Sequence, residues 1–203
     1  MRNMTKKVLI HICCAPCMAY PLKALRDEGF EVVGFWFNPN IHPYLEYKKR
    51  LYEVRRLAQI EQFELIEDDR YNIKDFLKYI LDESDEENRC VKCYRYRLER
   101  TVQAALEHNI EFFSTTLLYS KYQLHEKIKI IGEELEQRYG VKFLYRDFRK
   151  GWSKGLNLSR KYKLYRQQYC GCIFSEYERF FKTADRILEE YEWYPRRKEP
   201  KQD

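Results

Sequence analysis

Glycine and proline are scarce in this sequence, 7 and 6 among 203 residues, which excludes collagen-like and linker-dominated architectures. No apolar run approaches the ~20 residues that a membrane-crossing helix requires. The basic opening MRNMTKKVLIHICCAPC carries one apolar stretch, Val8 to Ile12, too short for a secretory core and without a small-residue cleavage site. A cytoplasmic location is therefore expected. Neither sign of charge dominates, with 38 Lys plus Arg against 32 Asp plus Glu. At 44% hydrophobic and 34% charged, the composition excludes a disordered chain. The length suits a single catalytic domain over 1–203.

Aromatic side chains and thiols, by contrast, are abundant: 18 Tyr, 12 Phe, 3 Trp and 7 Cys. Disulfide scaffolds are rare in reducing compartments, so clustered cysteines there point to metal or redox chemistry. Patterning alternates strand and helix. Val8–Ile12, Glu31–Phe37, Phe63–Ile66, Glu111–Thr116 and Val141–Tyr145 read as strands. Pro16–Glu28, Tyr44–Gln59, Ile73–Leu81, Cys90–His108 and Gln123–Tyr139 read as helices, with Gly29 and Asn38-Pro39-Asn40 as breakers. Asp82–Glu87 reads as an acidic loop or helix entrance. A basic loop, a short helix, the segment YCGC and a last helix over Phe174–Tyr191 follow.

This order predicts an α/β, parallel-sheet, Rossmann-like three-layer core over 8–145. A basic loop, redox segment and helix occupy 146–192, and 193–203 form a basic tail. Sites in such sheets lie beyond the carboxyl ends of the strands. Here that means the CC-containing turn after the first strand, the NPN turn after the second, and TTLLYSKYQ after the fourth.

The cysteines form three groups: Cys13, Cys14 and Cys17; Cys90 and Cys93; Cys170 and Cys172. Small buried apolar cysteines would be scattered rather than grouped. Cys-x-x-Cys at 14/17 and at 90/93 brings each pair of thiolates to within reach of one ion. The long interval from Cys17 to Cys90 does not match a local zinc ribbon, whose knuckles lie ~15–20 residues apart. The ligands then come from separate turns of a larger fold, which leaves an iron–sulfur cluster or zinc. Cys170-Gly171-Cys172 can supply two metal thiolates or close as a strained, redox-labile disulfide.

With HICCAPC (11–17), FNPNIHPYLEYKKR (37–50), CVKCYRYRLERT (90–101), FFSTTLLYSKYQLHEKIKIIG (112–132), YRDFRKG (145–151) and LYRQQYCGC (164–172) in view, the chain resembles the QueH-type epoxyqueuosine reductases. The resemblance runs from about Val8 to about Glu178. It implies a cobalamin-independent enzyme that reduces the epoxide of epoxyqueuosine in tRNA to queuosine. It also implies a 4Fe–4S cluster on Cys13, Cys14, Cys90 and Cys93, a redox-active Cys170/Cys172 pair, and an adjacent mononuclear iron to which Cys17 contributes. The family sheet resembles that of PP-loop, nucleotide-hydrolase-like folds. HICCAPC, however, has no glycines for a phosphate cradle, which argues against ATP use.

Epoxide deoxygenation needs two electrons, a stabilised alkoxide and a proton donor, for which His42, His125, Tyr119 and Tyr122 are candidates. Between Arg146 and Cys170 stand eight Lys/Arg against the single acid Asp147, interleaved with Trp152, Tyr162, Tyr165 and Tyr169. This composition points to tRNA, with Arg160, Lys163 and Arg166 as phosphate contacts and the rings as stacking faces. CYRYRLER (93–100) and the tail WYPRRKEPK (193–201) are secondary candidates. An electron donor is required, and neither membrane nor DNA is an expected partner. Two alternatives stand beside this reading: a zinc-stabilised, non-catalytic RNA-binding module, and a tRNA sulfur-transfer enzyme.

Overall fold

The computed structural model describes residues 6–81 and 86–183, without the side chains of 86–88. Five strands, β1 (Lys7–His11), β2 (Glu31–Trp36), β3 (Leu65–Glu67), β4 (Phe112–Thr115) and β5 (Lys142–Phe143), form one sheet in the order β3-β2-β1-β4-β5. Every pairing is parallel. A sheet of this kind is covered on both faces, so its central strands are apolar along their whole length. Val8, Leu9 and Ile10 of β1 are fully buried, as are Phe35, Trp36 and Phe113 beside them. The connections are α1 (Ala15–Asp27), α2 (Tyr44–Glu61), α3 (Ile73–Ile80), α4 (Glu86–Glu107) and α5 (His125–Tyr139). Helices α6 (Trp152–Lys161) and α7 (Ile173–Phe180) follow the sheet. α1 packs against α2 and α6, while α4 packs against α3 and α5. With right-handed crossovers these are the two outer layers of the expected α/β core.

Several boundaries differ from the sequence reading for identifiable reasons. α4 begins a turn before Cys90, so the 90/93 pair lies inside a helix rather than at its start. Gln62 ends α2 in the left-handed region and the N–H of Phe63 still bonds back to Ala58, which delays β3 to Leu65. In α4, Leu98, Val102 and Ala105 are buried as expected, but Leu106 is exposed. The acidic stretch at 82–85, the predicted continuation of the last helix to Tyr191 and the basic tail at 193–203 lie outside the described residues. Among the described residues, no helix is long and apolar enough to cross a membrane.

His11, at the end of β1, ties the centre of the sheet to its neighbours. Its Nδ1 lies 3.0 Å from the Thr115 hydroxyl, and its Nε2 lies 3.2 Å from both the Phe37 carbonyl and the Asn38 side-chain oxygen. Two acceptors at Nε2 require the proton there, so the Thr115 hydroxyl donates to Nδ1 while accepting from the Leu117 N–H at 3.1 Å. Burial, then the nearby Arg97 charge, push the His11 pKa down to about 4.

Two expected outcomes follow from these contacts. A Cβ at Gly132 would sit 2.3 Å from the Phe143 ring. Alanine gains ~1 kcal/mol of helix propensity, but overpacking at this distance costs up to ~3 kcal/mol. G132A should therefore lower stability by about 1–2 kcal/mol, read as a reduced urea midpoint with an unchanged m-value. His11 is neutral when folded and takes up a proton on unfolding, so its contribution is complete above pH 6.5 and lost as pH falls towards 4. The loss amounts to about 3 kcal/mol. Urea titrations of the metal-free chain at pH 7.5, 6 and 5 should show about 2 kcal/mol of this loss by pH 5, with a flatter pH dependence in H11N.

Candidate active site

The sheet changes direction at β1, with β2 on one side and β4 on the other, and the chain ends leaving β1 and β4 meet there. Cys13 and Cys14 follow β1 directly. Cys14 stands at the N-cap of α1 with extended backbone, and its sulfur accepts the Cys17 N–H at 3.3 Å. This cap turns Cys17 back towards the strand end. The Cys13, Cys14 and Cys17 sulfurs consequently all lie within 4.8 Å of one another, a group that can hold a metal ion. The 3₁₀ turn Thr116–Tyr119 after β4 closes the other side. Thr116 accepts the Cys13 N–H at 3.0 Å and donates to its sulfur at 3.3 Å.

Cys13 is the thiol held well below the usual range, because the Cys14 and Cys17 thiols and the Thr116 hydroxyl direct hydrogen bonds at its sulfur. Burial, followed by the neighbouring Cys13 sulfur, pushes Cys14 up. The hydrogen bonds to Cys13 and Cys14, together with burial, push Cys17 up. From the far end of the chain, the Gln167 amide donates to the Cys14 sulfur at 2.8 Å and reaches Cys17 at 3.7 Å.

The other four cysteines line one cavity, together with Asn40, Phe76, Tyr94, Arg97 and Gln123. Cys90 and Cys93 face it from α4, and Cys170 and Cys172 from the segment before α7. Burial raises Cys90 to about 11 and Cys93 to about 12, the latter opposed by Arg97. The Gln123 amide lies 3.5 Å from the Cys170 sulfur, and Cys172 caps α7 by accepting the Ser175 N–H at 3.4 Å. Backbone bonds fix the Cys-Gly-Cys turn. The buried Arg50 donates to the Cys170 and Tyr169 carbonyls at 2.8 and 3.2 Å, and the His42 N–H donates to the Gly171 carbonyl at 2.7 Å. Gly171 has φ +144 and its missing Cβ faces Ile41, Asn40 and Arg50 at 3.1–3.3 Å, so only glycine suits the turn.

The structure thus brings Cys13, Cys14 and Cys17 together as one sulfur group, and Cys90, Cys93, Cys170 and Cys172 around the cavity. Arg160, Lys163 and Arg166 are exposed. The aromatic residues among them are anchored rather than free: Trp152 stacks on Tyr119 at 5.2 Å, Tyr162 donates to Glu61, Tyr165 to Glu46 and Tyr169 to the His42 carbonyl. Of the candidate proton donors, His42 bonds the Pro39 carbonyl, His125 the Tyr145 hydroxyl and Tyr119 the Trp152 carbonyl, while Tyr122 is 85% exposed. None of the four lines the cavity.

Sequence reasoning missed Thr116, Gln167, Gln123, Asn40 and Arg97. Asn40, Thr116 and Gln123 lie in the strand-end turns that the sequence marks as site-bearing, and Arg97 shares one helix face with Cys90 and Cys93 at i, i+3 and i+7.

The sequence profile described as "Epoxyqueuosine reductase QueH" matches residues 8–178. The chain is 41% identical over 179 residues to Epoxyqueuosine reductase QueH of Dehalococcoides mccartyi, covering 88% of this chain and 97% of that one. It is 40% identical over 187 residues to the Thermotoga maritima protein of the same name, covering 88% and 94%. The crystal structure of a predicted subunit of tRNA methyltransferase from Methanocaldococcus jannaschii is similar with a TM-score of 0.54 at 14% identity, over 95% of this chain and 94% of that one. That likeness is one of fold. The sequence matches and the thiol-lined strand ends agree, and the chain belongs to the epoxyqueuosine reductase QueH family of oxidoreductases.

Proposed function

We propose that the chain reduces the epoxide of epoxyqueuosine in tRNA to the alkene of queuosine. The observation that supports this reading is the clustering of Cys13, Cys14 and Cys17 at the end of β1, beside a cavity lined by Cys90, Cys93, Cys170 and Cys172, with the buried Arg97 under the electrostatic influence of members of both sets. Removing the epoxide oxygen as water consumes two electrons and two protons. The Cys170/Cys172 dithiol holds both: two S–H bonds break, one S–S bond forms, and the electron pair goes to the breaking carbon–oxygen bonds. An external electron donor then restores the dithiol.

The donor set suits a soft metal centre, being all sulfur and drawn from separate turns. Cys13, Cys14, Cys90 and Cys93 are proposed to hold a 4Fe–4S cluster, and Cys17 to contribute to a mononuclear iron beside it. When bound, such centres pass single electrons and act as Lewis acids. Around them the chain's own groups have separate tasks. Arg50 and the His42 N–H hold the dithiol turn in place. The Oδ1 of Asn40 is buried without a hydrogen-bond partner, and it lines the cavity, placed to accept from a ring hydroxyl. Phe76, Ile80 and Phe174 give the same cavity apolar walls that limit water.

tRNA binding is assigned to the exposed cations Lys150, Lys154, Arg160, Lys161, Lys163 and Arg166. Their segment runs directly into Gln167, which touches Cys14 and Cys17, so an RNA backbone held there passes beside the thiols. Because the interleaved tyrosines are anchored to the protein, this surface contributes charge more than stacking.

C170S or C172S should lower turnover of epoxyqueuosine-containing tRNA by about a thousandfold or more, with the anaerobic iron–sulfur absorption retained. A colourless variant would make that thiol a ligand instead. Reversing Arg160, Lys163 and Arg166 to Glu should raise the tRNA KM at least about tenfold and flatten its salt dependence. An unchanged KM would remove the surface from the binding site.

A further inference from the structure

Among the described residues, two arginines are buried to within 2% of full exclusion, Arg50 and Arg97, and their surroundings differ in kind. Arg50 is satisfied: its Nε meets the Glu46 carboxylate at 2.6 Å and its other nitrogens meet two backbone carbonyls. Arg97 has no carboxylate partner among the described residues. Its Nε donates to the Cys93 carbonyl one turn back at 3.2 Å, and the Tyr94 ring lies 5.8 Å away. The Nη2 of Arg97 is buried with no hydrogen-bond partner.

A guanidinium cannot escape this position by losing its proton. Burying it unpaired is costly, and a fold that retains it needs an anion nearby in the working state. The groups available are thiols. Cys90, Cys93, Cys170 and Cys172 line the cavity that Arg97 also lines, and Cys93, Cys170 and Cys13 are the thiols whose ionised forms would favour its charge. At neutral pH ordinary thiols are largely protonated, but a bound soft metal deprotonates them outright. The missing anion is thus one that metal binding creates.

We propose that Arg97 is the built-in counter-charge of a metal–thiolate centre at this site, favouring both the assembly of the thiolates and the form of the centre that carries an additional electron. Arg97 acts through the field it imposes on the cysteines, so it is a positioning residue for electrons rather than a catalytic one. The redox part rests on the iron–sulfur reading above; the metal-binding part does not.

The test compares R97K, which keeps the charge, with R97M, which keeps the apolar stem. In the metal-free chain, Co²⁺ serves as probe through its thiolate charge-transfer absorption. R97M should bind Co²⁺ at least about tenfold more weakly than wild type at pH 7, and R97K should stay within about threefold. After anaerobic reconstitution with iron and sulfide, the midpoint potential of R97M should fall by about 59 mV or more, the one-electron equivalent of tenfold, with R97K again close to wild type. Far-UV circular dichroism and the urea midpoint report folding in each variant. Equal Co²⁺ affinity and equal potential in R97K and R97M would overturn the proposal and leave Arg97 a packing residue. Should wild-type protein take up no cluster, the reductase reading fails, while the Co²⁺ comparison still decides the role of Arg97.

Discussion

Pairing of β1 with β4 is the constraint on which the site depends. It joins residues about a hundred positions apart in a fixed parallel register, with His11 opposite Thr115. Because that register is set, the next residues on each strand emerge side by side, and Cys13 finds Thr116 as both acceptor for its N–H and donor to its sulfur. A slip of one residue would turn Val8, Leu9 and Ile10 to the wrong faces of the sheet. The apolar centre of the sheet and the placement of the first thiol are therefore held by the same set of contacts.

Around that junction the chain spends polar side chains on geometry. Gln167, Gln123, Arg50 and the His42 amide each bond a sulfur or a carbonyl belonging to a cysteine-bearing segment. None of these bonds belongs to a helix or strand ladder. They fasten the 164–172 segment, which has little regular structure of its own, across the ends of β1 and α2. Two sulfurs, of Cys14 and Cys172, also stand as helix N-caps, each accepting a backbone N–H of the first turn.

The fold was largely legible because its strands are buried on both faces and its breakers are conventional. Val8–Ile12 and Glu31–Phe37 are apolar runs, and Gly29 and Asn38-Pro39-Asn40 mark where they turn. The grouping of cysteines was legible for the same reason, since spacing is a property of sequence. What remained hidden was which groups share a neighbourhood. Nothing local says that Gln167 lies on Cys14, or that Asn40 and Cys172 line one cavity, because those are consequences of strand order. Spacing alone marked Cys90 and Cys93 as a metal-binding pair, and the structure puts them on the cavity side of α4, inside a helix that starts earlier than its cysteines suggested. The stacking role expected of Tyr162, Tyr165 and Tyr169 was not legible as anchoring, because hydroxyl partners such as Glu61 and Glu46 come from a distant helix.

The bond from Gln167 to Cys14 has a consequence in time. It spans 153 positions, and ribosomes add about 5–20 residues per second, so Cys14 and Cys17 are synthesised about 8–30 s before the side chain that covers them. Over that interval the central strand and the first helix can form, while the thiol triad stays open to solvent. The order of synthesis leaves Cys14, the one buried thiol among the described residues, exposed for much of the chain's birth, within reach of metal delivery and of oxidants alike.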